Sequence, residues 1–291
     1  MKRLTFDLKF QGGAADEHMV DFYDANHALV GFQRSLALTT HLVVNGNIIT
    51  QAPSLKGANI FVSTPEAGSW KITAAVVLTG LYQLGTTPHD TVVGHIIYSL
   101  YDYVVSESLG VHVDYDQSIG ELYEKARSKK IDLPVVEQSR ADSLIEKCSV
   151  PIKDMHRPML MSKTAENAVV SGNFDGRLLE LQSNLTVDSY DYLHESFPED
   201  GFVEVVGRVS SYNSNSYKGR IFVPGEGRPI TFEIMPGARD RRSIRVITSS
   251  LSSSALRKNS DKGYFSCNVL RERSRSGQLK RYKIVNIGEW V

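Results

Sequence analysis

A chain of 291 residues with 41% hydrophobic and 23% charged side chains has the length of two ordinary domains and a folded composition, which excludes extended disorder. Its formal net charge is zero, yet residues 1–200 carry 16 Lys and Arg against 26 Asp and Glu, while residues 201–291 carry 17 against 7, so a −10 portion is joined to a +10 portion. Cys148 and Cys267 lie far apart with no Cys or His at ligand spacing, which argues against a zinc ribbon or a disulfide framework and fits a reducing cytoplasm.

The first ten residues, MKRLTFDLKF, do not make a signal peptide, because Asp7 and Lys9 interrupt the apolar run. Leu4, Phe6, Leu8 and Phe10 alternate with polar residues and predict a strand with one buried face. A helix follows, capped by Asp24 or Asn26, with Leu29, Phe32, Leu36, Leu42 and Val43 on its apolar face and Asn45-Gly46 as its stop. Residues 58–64 and 69–78 predict a hairpin around the turn PEAG. The uncharged run 72–89 is strongly apolar only as far as Leu78, so it reads as a buried strand leading into a loop and not as a membrane span. Residues 90–106 predict a second long helix stopped at Gly110, and 118–129 and 139–148 shorter surface helices with Ser at their caps. Between 151 and 181 the pattern is weak, and Met155, Met159 and Met161 read as packing under a loop or helix end.

The stretch FPEDGF, where the charge changes sign, sets a domain boundary between an acidic α+β domain at 1–197 and a basic domain at 198–291. The second domain reads as three short strands, a Ser-rich helix at 243–256 and two further strands, the element order of the OB-type barrel, with an SH3-like barrel as the alternative. The last two strands, GYFSCNVLRER and QLKRYKIVNI, enclose six cations. A two-residue turn at Ser276-Gly277 would put Val269 opposite Ile284, Phe265 opposite Gly288, Arg271 opposite Tyr282, Glu272 opposite Arg281 and Arg273 opposite Lys280. Nucleic-acid binding in such barrels uses strands 2 and 3 with loops 1-2 and 4-5, where cations follow phosphates and rings stack on bases. The candidate contacts are therefore Tyr212, Tyr217, Lys218, Arg220, Arg271, Arg273, Arg275, Lys280, Arg281, Tyr282 and Lys283. A cationic hairpin docked on an acidic surface, of this chain or of a partner, explains the same residues.

Catalytic motifs are missing: there is no HExxH, no phosphate loop, no GxGxxG after a strand and no GxSxG elbow. Asp188, Asp191, His194 and Glu195 would share a helix face, His112, Asp114 and Asp116 one side of a strand, and Asp16, Glu17, His18, Asp21 and Asp24 precede the first helix. Each reads better as a solvated acidic segment than as a metal site. His27, His41 and His95 fall beside apolar helix residues, and Cys267 alternates into the barrel core, so no metal or cofactor is expected.

The run LTFDLKFQGG, then DANHALVGFQRSL, then FVSTPEAGSWKITAAV resembles an uncharacterised bacterial family in which a strand and helix precede a GSW- or GSF-containing strand, with a small barrel at the C-terminus. The resemblance implies a two-domain organisation, attaches no activity, and implies a mobile-element and phage-defence setting. The expected function is a non-enzymatic adaptor whose barrel grips single-stranded or structured nucleic acid while the N-terminal domain assembles or recruits a partner. Two alternatives stand beside it: a homo-oligomer or protein scaffold held by the opposite charges, and a metal-dependent hydrolase or nuclease with an unrecognised acidic site.

Overall fold

The computed structural model describes residues 4–49, 55–63, 70–79, 89–174, 177–255 and 263–290. The chain forms two compact units, Met1–Glu137 with Leu144–Leu193 and Gln138–Ser143 with His194–Val291. The fold is α+β. In the first unit the elements run β1 (Leu4–Gln11), α1 (Phe22–Asn45), β2 (Ala58–Val62), β3 (Lys71–Leu78), α2 (His89–Ser108), α3 (Glu121–Ser128), α4 (Gln138–Met155), α5 (Arg157–Leu160), β4 (Asn167–Phe174), β5 (Arg177–Glu180) and α6 (Val187–His194). The first turn of α4 and the last residue of α6 belong to the second unit.

The strand order is β2-β3-β1-β4-β5, every pairing antiparallel. The expected alternation of β1 holds, and Phe6, Leu8 and Phe10 are buried. Phe6 meets Tyr101 of α2 edge-on at 5.4 Å, and the Tyr101 hydroxyl shares a buried 2.9 Å hydrogen bond with Ser35 of α1, so sheet and both helices meet at one tyrosine. The two predicted hairpin strands pair, while their turn at 65–68 and the loop expected at 80–88 lie outside the described residues.

Four expectations change. The cap of α1 is Asp21, whose carboxylate accepts from the Asp24 amide at 3.0 Å; Asp24 itself is buried, where it accepts from Arg157 Nε at 3.0 Å and the Ser162 amide at 2.9 Å. Helix α4 runs on through Pro151 to Met155, so the weakly patterned region begins as helix and continues as β4 and β5. Met155 and Met159 pack inside, but Met161 is exposed. The acid-rich segment before α1 is a single 3-10 turn, Gly13–Glu17, where Asp16 accepts from the Gly12 amide.

The second unit contains β6 (Phe197–Pro198), β7 (Val203–Asn213), β8 (Lys218–Val223), β9 (Arg228–Ile234), α7 (Arg241–Ala255), β10 (Phe265–Arg273) and β11 (Leu279–Trp290). Strand β7 pairs with β8 and β10, β8 with β9, β9 with β11 in parallel, and β11 with β10, which closes a five-stranded barrel. That connectivity, with a helix between the third and fourth strands, is the OB-type arrangement. Its core is formed by Val209, Ile221, Ile230, Phe232, Ile234, Phe265, Val269, Tyr282 and Ile284, with Ile247 of α7.

The serines of α7 lower its helix propensity but serve the barrel directly. Ser250 Oγ accepts from the Val209 amide at 2.9 Å and donates to the Gly263 carbonyl at 2.6 Å, and Ser254 Oγ donates to the Val209 carbonyl at 2.7 Å. These bonds satisfy β7 backbone where a bulge between Val209 and Ser211 breaks the ladder to β8.

Gly31 of α1 supplies a stability test. A β-carbon there would stand 2.3 Å from the Pro151 carbonyl oxygen of α4, a backbone atom that no rotamer change can move aside. Alanine gains about 1 kcal/mol of helix propensity over glycine, whereas forcing apart a packed contact costs about 1–3 kcal/mol. Gly31→Ala is therefore expected to lower stability, by up to about 2 kcal/mol in urea unfolding, against the propensity trend.

Candidate nucleic-acid interface

The hairpin β10–β11 is where the cations of the sequence gather, and its register decides where they point. Val269 pairs with Ile284, Arg271 with Tyr282 and Glu272 with Arg281. The other two expected pairs are corrected: Phe265 pairs with Trp290 and Arg273 with Leu279, because irregularities between Phe265 and Cys267, Asn268 and Val269, and Glu272 and Arg273 insert extra β11 residues. The connection is a three-residue loop. The Gly277 amide donates to the Ser274 carbonyl, Ser274 and Gln278 close the ends, and Gly277 takes a left-handed φ of 84°.

Most of the predicted cations are matched by carboxylates. Arg273 pairs with Glu199 at 2.9 Å and Arg275 with Glu195 at 3.1 Å. Lys280 Nζ donates to the Glu195 carbonyl at 2.7 Å. Arg281 stands 3.8 Å from Glu233 and 3.9 Å from Glu272, and Lys283 is 2.5 Å from Glu272. The acids come from the segment leading into β7 and from the neighbouring strands, so across the outer face Lys218, Glu233 and Lys283 stand side by side with alternating sign. Burial pushes the Glu272 carboxyl up, but the Lys283 hydrogen bond and the Lys283 and Arg281 charges outweigh it and hold the group below its ordinary range.

Two predicted contact residues are withdrawn into the fold. Arg220 is buried and pairs with Asp142 at 3.1 Å while donating to the Pro229 carbonyl at 3.0 Å, all within the second unit. Tyr282 is fully buried in the barrel core, its hydroxyl donating to Glu226 at 3.2 Å, and so offers no ring to a base. Tyr212 is half-buried and lies parallel to Phe232 at 6.3 Å, its ring turned toward the barrel core. Lys218 and Arg271 make no ion pair among the described residues, and Arg271 Nε finds no hydrogen-bond partner.

Tyr217 stands apart. It closes the β7–β8 loop with φ of 56°, a left-handed conformation that costs a non-glycine residue about 1–2 kcal/mol. Asn213 Oδ1 organises the loop by accepting from the Asn215 amide at 3.0 Å and the Ser216 amide at 3.4 Å. The Arg239 guanidinium lies 4.3 Å from the Tyr217 ring centroid. Sequence reading missed Arg239, which follows the turn after β9; only the barrel places the end of β9 beside the β7–β8 loop. A second such pair, Arg208 over Tyr264 at 5.5 Å, forms where β7 meets β10.

Several of the acid groups considered for catalysis have structural partners. His112 Nδ1 lies 2.6 Å from Glu107, Asp114 accepts from the Gln117 amide at 3.0 Å, and among the described residues no three His, Cys, Asp or Glu converge as a metal ion would require. Burial pushes the free thiols of Cys148 and Cys267 up to about 12, which makes them poor nucleophiles. No helix among the described residues is long and apolar enough to cross a membrane.

Two measurements follow from the buried groups. Arg220→Leu removes the guanidinium from the buried Asp142 carboxyl inside the second unit, and is expected to cost about 3–5 kcal/mol in urea unfolding. His156 is buried, with Nδ1 2.8 Å from the Ile152 carbonyl and Nε2 2.9 Å from Ser189 Oγ, and burial lowers it from an ordinary 6.5 to about 4. The unfolded chain takes up this proton first, so the contribution is complete above pH 6.5 and falls as pH drops toward about 4, at about 1.4 kcal/mol per pH unit. Unfolding free energies measured across that window should decline more steeply for the wild type than for His156→Asn.

No curated protein and no solved structure matches the chain. Residues 201–288, which include all of the barrel but the last two residues of β11, match the profile of a family of unknown function, DUF7947. Residues 6–192, spanning the sheet and helices of the first unit, match the domain of unknown function DUF7946, and the chain belongs to that family.

Proposed function

We propose that the protein is a non-enzymatic, cytoplasmic nucleic-acid-binding adaptor. The barrel makes the contact, and the first unit assembles copies or recruits a partner. The observation that carries this reading is the β7–β8 loop of an OB-type barrel, where Lys218, without an ion pair among the described residues, adjoins Tyr217 and its Arg239 neighbour. The surplus of 17 cations over 7 acids in residues 201–291 adds the long-range attraction that draws a polyanion to this unit. The hairpin tip contributes less than its composition suggests, since its arginines already face glutamates. On the resemblance alone, the setting is phage defence.

A titration of full-length protein against single-stranded DNA, single-stranded RNA and duplex over a range of salt concentrations tests the reading. Binding should weaken linearly in log salt, and Lys218→Ala with Arg271→Ala should reduce the slope by about 1.4, two contacts at about 0.7 each on a single strand. Arg273→Ala with Arg275→Ala should change it far less. Absence of binding to all three polymers at low salt sinks the proposal.

A reading as a self-assembling scaffold is favoured by one observation in the first unit: Phe22 is 83% exposed, with Met19 and Tyr23 exposed beside it at the start of α1. Light scattering of the wild type and of Phe22→Ser distinguishes it, because assembly through that surface should be lost in the variant.

A further inference from the structure

Resting on the nucleic-acid reading above, we propose that the Tyr217–Arg239 stack is the seat of one unpaired nucleobase, so that the barrel takes single strands and rejects duplex.

The two members of the stack are fixed by the same residue. The Ile234 amide donates to the Tyr217 carbonyl at 2.9 Å, and the Ile234 carbonyl accepts from Arg239 Nε at 2.8 Å. Ile234 is buried and paired in parallel with Ile284, so both side chains hang from the closed edge of the barrel. The guanidinium lies over the tyrosine ring, and 29% of the Arg239 side chain remains exposed, the surface to which we assign the second flat group. Guanidinium and aromatic planes are the surfaces on which splayed-out bases stack. A base within a duplex is already stacked on both sides and does not reach such a surface.

Glu233 lies 3.9 Å from Arg239 and pairs in register with Lys218, so the stack has beside it both a carboxylate able to accept hydrogen bonds from an exocyclic amine and a cation for the phosphate that follows the base. The loop conformation is the second argument. Among the described residues, the other non-glycine residues with left-handed φ are His18, Lys130 and Lys163. His18 and Lys130 close helical turns, where this conformation is ordinary. Tyr217 ends a strand-to-strand loop, a position that suits glycine or asparagine better, so its ring is held there at the expense of stability.

The test is fluorescence anisotropy of the full chain with a labelled single-stranded oligonucleotide of about 16 nucleotides, the upper site size of such a barrel, and with its duplex. Tyr217→Asn, which tolerates the left-handed backbone, should melt no lower than the wild type and bind the single strand roughly 5- to 100-fold more weakly, with an unchanged salt slope because no cation is removed. Tyr217→Phe, which keeps the ring, should recover the affinity that Tyr217→Asn loses. Arg239→Lys keeps the charge but not the plane and should also weaken binding, and it is the variant to read if Tyr217→Asn melts lower. Wild-type binding with undiminished affinity in both Tyr217→Asn and Arg239→Lys overturns the base seat alone, as does duplex bound as tightly as the single strand. Failure of the wild type to bind any oligonucleotide overturns the nucleic-acid reading, and the seat with it.

Discussion

Closure of the barrel through β11 is the constraint on which the second unit depends. This strand runs antiparallel to β10 and parallel to β9, and so closes the cylinder that the β7–β10 pairing alone leaves open. Satisfying both neighbours requires the extra residues that β11 carries against β10. Tyr282 and Ile284 thereby face the core while Arg281 and Lys283 face outward, in reach of Glu233 and Glu272. Closure also fixes the end of β9, and with it Ile234, from which the tyrosine–arginine stack is suspended.

The dense cations of the hairpin are a property of linear sequence more than of the surface. Glu195 and Glu199 precede β7 by a few residues and lie some 75 to 80 positions from the arginines they meet, and Glu233 is on another strand. Exposed pairs of this kind are worth only about 0–1 kcal/mol each. Their main effect is on what the face attracts: alternating signs cancel at short range and leave the net excess of the unit to act at distance. A polyanion is then drawn to the barrel as a whole, and local geometry selects the contact point.

The sequence revealed what is periodic and local. The alternation of β1, the apolar faces of α1 and α2, the strand–helix–strand order of the barrel and the pairing of Val269 with Ile284 all follow from side-chain spacing. What it concealed depends on partners distant in the chain. Arg220 and Lys218 are two residues apart on one strand, yet one is buried against Asp142 and the other makes no ion pair among the described residues, because Asp142 arrives from the first turn of α4. Arg239 was invisible as a candidate because its neighbour Tyr217 lies across two strands. The serines of α7 looked like poor helix material until Val209 supplied the unpaired backbone groups that they satisfy.

The two sheets of this protein end differently. In the barrel the five strands return on themselves, whereas among the described residues the first unit's sheet ends at β2 and β5. Strand β2 reads ANIFV, without a lysine, a proline or an inward charge to discourage a newcomer, and Phe61 and Val62 are exposed. Among the described residues, β2 thus presents an edge that a strand from another chain could extend, whereas the five barrel strands each have two neighbours. A nascent chain makes this sheet first, so its β2 edge meets other chains before the barrel strands have paired.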